Sequence, residues 1–143
     1  MSMAQQLSVF LENAPGRLNR LANCLGEQEI NMHALFVADT SDFGVARIIC
    51  DRTEDAVKAL REEGFSVTTT DVVAVEIPDT PGALGTLFTA IADAGIDISY
   101  SYCLVEPVTK KAVNFCRLKC PNAEEVIEAA GFRVLGDSVF HGM

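Results

Sequence analysis

Nowhere does the 143-residue sequence contain about 20 consecutive apolar residues, the length a membrane-crossing helix needs. Its first residues include Gln5 and Gln6 and carry no basic flank, so neither a membrane anchor nor an export signal is expected. Basic residues are scarce. The 11 Lys and Arg against 20 Asp and Glu give a formal charge of -9, a field that repels phosphate polyanions and argues against nucleic acid as a partner. Ten glycines and five prolines are too few for a fibrous chain, while 49% hydrophobic and 22% charged residues describe a packed domain, or two very small ones, rather than a disordered chain.

Chemistry-bearing motifs are missing as well. The sequence has no Gly-x-x-x-x-Gly-Lys phosphate loop, no Gly-x-Ser-x-Gly nucleophile turn and no Cys-x-x-Cys pair. His33 and His141 lie far apart, without Cys or acidic neighbours at metal-ligand spacing, so no metal and no cofactor are expected. The five cysteines, Cys24, Cys50, Cys103, Cys116 and Cys120, sit mostly inside apolar stretches, where a reduced thiol acts as a small hydrophobe; a cytoplasmic setting follows.

What the chain does contain is an internal repeat. Asn13-Ala14-Pro15-Gly16-Arg17-Leu18 returns 66 residues later as Asp79-Thr80-Pro81-Gly82-Ala83-Leu84. The same offset pairs Val9 with Val75, Leu11 with Ile77, Leu21 with Leu87, Leu25 with Ile91, Ile30 with Ile96, Asn31 with Asp97 and Met32 with Ile98. Gly64-Phe65 then meets Gly131-Phe132 at an offset of 67, which implies one inserted residue in the middle of the second copy. Two copies of one fold, residues 1–70 and 71–143, therefore fill the chain.

Each copy reads as strand, helix, strand, strand, helix, strand. Leu7, Val9 and Leu11 alternate with Gln6, Ser8 and Phe10, a strand period. Leu18, Leu21, Ala22 and Leu25 then form one helical stripe from about Gly16 to Gln28, with proline at its first turn. Ala34 to Ala38 and Val45 to Cys50 form a hairpin around the polar turn Thr40 to Gly44. A short helix follows, with Thr53 as N-cap and Gly64 as its stop, and Val67 to Thr70 is the fourth strand. The second copy repeats this with strands near Val72 to Ile77, Tyr100 to Val105, Ala112 to Lys119 and Val134 to Leu135, and helices near Gly82 to Ala94 and Ala123 to Ala130. The fold class is α+β: two βαββαβ ferredoxin-like modules in tandem, with antiparallel sheets and the helices on one face.

The repeated turn has a physical logic. Asn or Asp bonds forward to backbone amides, proline fixes φ, and glycine lets another group approach the backbone. The amides of Gly16, Arg17 and Leu18, or of Gly82, Ala83 and Leu84, then leave a helix N-terminus where a carboxylate can bind. Asn31 and Asp97 each follow their turn by 18 residues. Met32, Ile98 and Phe88 read as core by their spacing.

These two turns, their apolar stripes and the triplets Ile30-Asn31-Met32 and Ile96-Asp97-Ile98 resemble the ACT domain family over nearly the whole chain. In that family small βαββαβ modules bind amino acids and regulate enzymes of amino-acid metabolism; the sequence resembles a free-standing tandem member. The resemblance implies a non-catalytic, allosteric amino-acid sensor, a homodimer, with a small-molecule amino acid between modules. It nominates as ligand-binding residues Asn13, Gly16, Arg17, Leu18 and Asn31 in the first copy and Asp79, Gly82, Ala83, Leu84 and Asp97 in the second. Asp in place of Asn in the second copy suits a ligand ammonium group, or else caps the helix and leaves that copy empty. Aliphatic residues near the turns suit a small or branched ligand; Phe36, Tyr100 and Tyr102 suit an aromatic one. Two rival readings stand beside the sensor: a regulatory subunit docking on a metabolic enzyme without a ligand of its own, and a small enzyme using Asp79, Asp97 and His33.

Overall fold

The structure is a computed structural model that describes residues 3–12, 14–39, 43–106 and 111–141. The chain divides into two compact units: a first module of Gln5–Thr70 with Ser138–Met143, and a second of Asp71–Asp137 with Met1–Ala4. Each terminal segment thus groups with the module at the far end of the sequence.

In the first module β1 (Ala4–Glu12) leads into α1 (Arg17–Glu27), then β2 (Met32–Asp39), β3 (Phe43–Cys50), α2 (Thr53–Glu62) and β4 (Ser66–Pro78). β1 lies between β3 and β4, with β2 outside β3. β1 and β3 run antiparallel from Leu7 opposite Ile48 to Glu12 opposite Phe43, and β2 pairs β3 from Met32 opposite Cys50 to Asp39 opposite Gly44. The expected hairpin is present, although residues 40–42 of its turn lie outside the described residues. Alternation in β1 places Leu7, Val9 and Leu11 in one core with Leu21 and Leu25 of α1, Ile48 of β3 and Leu60 of α2; Met32 packs against it.

The second module uses the remainder of β4, then α3 (Ala83–Asp93), β5 (Ile98–Glu106), β6 (Lys111–Leu118), α4 (Ala123–Ala129) and β7 (Arg133–Leu135). β4 sits between β7 and β6, with β5 outside β6, the same order that the first module shows. Its core joins Val73, Val75 and Ile77 to Leu87, Ile91, Cys116 and Ile127, with Phe88 and Ile98 packed against it. Met32, Phe88 and Ile98 are therefore core residues, as their spacing implies.

Several details differ from expectation. Val67–Thr70 and Val72–Ile77, expected as separate strands, belong to one strand, β4: the run between them has neither Gly nor Pro, and its threonines favour extended backbone over the turn signal of Asp71. Leu7 opposite Ile48 matches Val73 opposite Cys116, so the second hairpin carries two extra residues, one of which is lost again before α4, where Leu60 matches Ile127. The sequence offset of 67 records only the net insertion. The N-cap of α2 is Arg52 rather than Thr53, whose Oγ1 is buried without a hydrogen-bond partner. Gly64 does end α2, in the left-handed conformation at φ +91°, with its N–H donating to the Arg61 carbonyl and that of Phe65 to the Leu60 carbonyl. A 3-10 helix at Asp137–Phe140, which no periodicity announced, buries Phe140; the carbonyl oxygen of Phe140 lies 2.9 Å from His33 Nε2 within the first module.

Candidate functional site

The turns that open α1 and α3 share one backbone device. Gly16 (φ +85°) and Gly82 (φ +88°) occupy the N-cap positions in the left-handed conformation, and neither helix receives a side-chain cap. Asp79 is thus not the helix cap, and Pro15 and Pro81 stand one residue before the cap rather than in the first turn. The reason is conformational: the cap residue must take a positive φ, which glycine adopts without strain and proline cannot adopt. Asn13 lies outside the described residues.

The four helices divide by their N-termini. α2 opens with Glu54 and Asp55 and α4 with Glu124 and Glu125, which complement the positive end of each helix dipole. α1 and α3 have no acidic residue in the first turn. Their leading amides keep about half a positive charge that no acidic residue of their own first turn offsets. The two are not identical, since the Ala83 N–H donates to the Thr80 carbonyl at 3.2 Å and is spent within its own turn.

The other nominated residues fall in distinct places. The Arg17 guanidinium lies over Phe65, 4.8 Å from the ring centroid, with its Nε buried and unpaired. Leu18 is 42% exposed beside its turn, whereas Leu84 packs against the second core. Asn31 exchanges backbone contacts with Asp51: its N–H donates to Asp51 Oδ1 at 3.0 Å and its carbonyl accepts the Asp51 N–H at 3.2 Å. Asp97 and Asp79 are exposed.

Asn31 does not meet the turn of its own module. The turn follows Glu12, which pairs Phe43, while Asn31 precedes Met32, which pairs Cys50. Those points are seven residues apart along β3, about 23 Å. The second module repeats this, with Asp97 beside the Ile98–Leu118 pair and the turn beside Pro78–Lys111.

The family model described as "ACT domain pair" matches residues 1–137. The chain is an ACT domain pair. It is similar to the solved protein BT0572 from Bacteroides thetaiotaomicron, with 33% identity, 99% of this chain and 97% of that one covered, and a TM-score of 0.91. The ligand-free regulatory subunit of aspartate kinase from Thermus thermophilus shares the fold at 17% identity, 91% coverage of both chains and a TM-score of 0.69. Its counterpart from Thermus flavus aligns at 18% identity, 91% of this chain, 92% of that one and a TM-score of 0.65. No curated protein matches the chain significantly.

Within this ACT pair the second module holds a buried polar group that the sequence reading missed. Asn114 on β6 is 1% exposed; its Oδ1 accepts from Ser101 Oγ at 2.8 Å and from the Cys116 thiol, and its Nδ2 donates to Cys103 Sγ at 3.0 Å. Burial pushes the Cys116 thiol up to about 11, against the opposing Ser101 hydrogen bond. Ser101 lies opposite Cys116 and Cys103 opposite Asn114, so only strand register brings these residues together. Among the described residues no three His, Cys, Asp or Glu side chains are grouped as metal ligands, and no helix is long and apolar enough to cross a membrane.

Proposed function

We propose that this ACT pair is a non-catalytic regulator that binds an amino acid through the turns Asn13–Gly16 and Asp79–Gly82, at an interface between ACT modules. The observation that carries this reading is the paired, glycine-capped and acid-free N-termini of α1 and α3. A ligand carboxylate there receives backbone N–H groups and the positive helix end. Asn13 or Asp79 takes the ammonium group, and Leu18 or Leu84 borders the side chain. Because Asn31 and Asp97 stand about 23 Å from the turns of their own modules, a ligand that also uses them draws on two modules. In this reading the protein is a cytoplasmic homodimer whose ligand favours one arrangement, which a metabolic enzyme senses.

Thermal unfolding against each of the twenty amino acids at millimolar concentration tests the proposal. A ligand at 100 times its Kd adds about 2.7 kcal/mol, a shift of several degrees for a chain of this size. The shift is expected to be lost in Asn13→Ala. No response to any amino acid would sink the sensor reading.

A second reading rests on the outer strands. β2 exposes Leu35, Phe36 and Val37, and β5 exposes Leu104 and Val105, on strands that among the described residues pair along one edge only. Such edges accept a partner strand, which suits a subunit that docks on a biosynthetic enzyme. Co-purification of one enzyme, without any amino-acid response, selects it.

A further inference from the structure

A groove of about 520 Å³ in the second module lies between the end of β4, the start of β6 and the loop into β7, and shares no residue with the repeated turns. Glu76 stands in it, with Oε1 3.4 Å from Lys111 Nζ and Oε2 3.3 Å from Arg133 Nη1. One carboxylate thus serves two cations, and a single positive charge is left over in a chain whose formal charge is -9. Lys111 and Arg133 keep 62% and 72% of their side-chain surface, so most of their donors face solvent. Pro78 and the half-buried Phe132 line the same groove with apolar surface, whereas Ile77 belongs to the second core.

The fold does not require these charges. Strand register places Phe10 where Glu76 stands and Phe43 where Lys111 stands, and in the first module those rings pack together, 5.9 Å between centroids. Ser66 occupies the position of Arg133 at the repeat offset. The charged trio is particular to the second module and opens on a concave, partly apolar surface.

We propose that this groove binds a small organic carboxylate with an apolar body, its carboxylate held by Arg133 and Lys111 and its body against Pro78 and Phe132. Glu76 offsets one of the two cations and lowers the net charge that the ligand meets. The site goes beyond the turn reading and stands or falls separately from it.

The test is a two-dimensional NMR titration of the full-length 15N-labelled chain with 4-methyl-2-oxopentanoate, and with 3-methylbutylamine as the probe lacking a carboxylate. The oxo acid should move the amide signals of Gly131, Phe132 and Arg133, and the amine should not. Loss of one charge-assisted contact in Arg133→Met or Lys111→Met should weaken the oxo acid about tenfold. Glu76→Gln, which raises the local charge, should bind it at least as tightly. Lys111 and Arg133 are exposed while Glu76 keeps 22% of its side-chain surface, and an unchanged spectrum elsewhere verifies the fold of each variant. The proposal is overturned by shifts confined to other residues, by equal response to the amine, by full affinity in both methionine variants, or by weaker binding in Glu76→Gln. Leucine separates the two sites: binding lost in Asn13→Ala but kept in Arg133→Met belongs to the turns, and the reverse pattern to the groove.

Discussion

On the helix-facing side of the sheet, Leu35, Val37, Ala46 and Ile48 of the first module stand where Ser101, Cys103, Asn114 and Cys116 stand in the second. On the other side, near the turns, the Phe10–Phe43 pair faces the place of Glu76 and Lys111. The first module fills both places with apolar groups; the second fills them with polar and charged ones. The backbone order is nonetheless the same, because the central positions, Leu7 and Val73, Leu21 and Leu87, Leu25 and Ile91, Leu60 and Ile127, are apolar and buried in both. The shared core supports the fold, and sheet positions outside it are left to vary with chemistry.

The largest effect should therefore be the one the modules share. Leu21→Ala and Leu87→Ala each remove a fully buried side chain and should destabilise by about 2–5 kcal/mol in urea unfolding. A much smaller loss at one of them would show that the cores are not equivalent.

The thiol of Cys116 gives the second module a pH dependence that the first lacks at Ile48. Its ordinary value is 9.0 and burial raises it to about 11, so the unfolded chain releases this proton first. The stability it contributes is intact below pH 9 and is lost as pH rises to about 11, on the order of 2–3 kcal/mol in all. Denaturant titrations across that range should show the decline, and Cys116→Ile should reduce it, leaving the part owed to the Cys24 thiol, which burial also raises.

Asn114→Ala writes the first module's residue into the second and leaves Ser101 Oγ with the weaker contact to Cys116 Sγ at 3.7 Å; a loss of about 1–3 kcal/mol is expected. Adding Ser101→Leu and Cys116→Ile should recover most of that loss, since the one side-chain partner of Asn114 then left is Cys103, an exposed thiol that meets solvent. Failure of the triple variant to recover would mean that the polar group shapes the strands rather than merely occupying them.

The smallest effect belongs to the turns. Gly16→Ala and Gly82→Ala meet no atom within 4 Å, so only the positive φ opposes them, at about 1–2 kcal/mol each. Equal losses in thermal unfolding would mark the turns as equivalent backbone devices, whatever each one binds.

The repeat, the element order and the core stripes were legible because period and offset are properties of the chain alone. Leu7, Val9 and Leu11 alternate, Leu18, Leu21 and Leu25 recur at helical spacing, and the same pattern returns 66 residues on. The glycine turns were legible too, since no other residue adopts that backbone so readily. The caps were misread, because a left-handed Gly16 or Gly82 takes the place that Asp79 and proline suggest from residue type. The Asn114 group and the Glu76 groove had no signature, because each joins residues of different strands that become neighbours through antiparallel register. Sequence by itself determined which residues go inside and where the chain turns. Tertiary structure decided which polar groups meet and which amides remain unspent, because pairing across strands depends on register and, in the second module, on the two residues added to its hairpin.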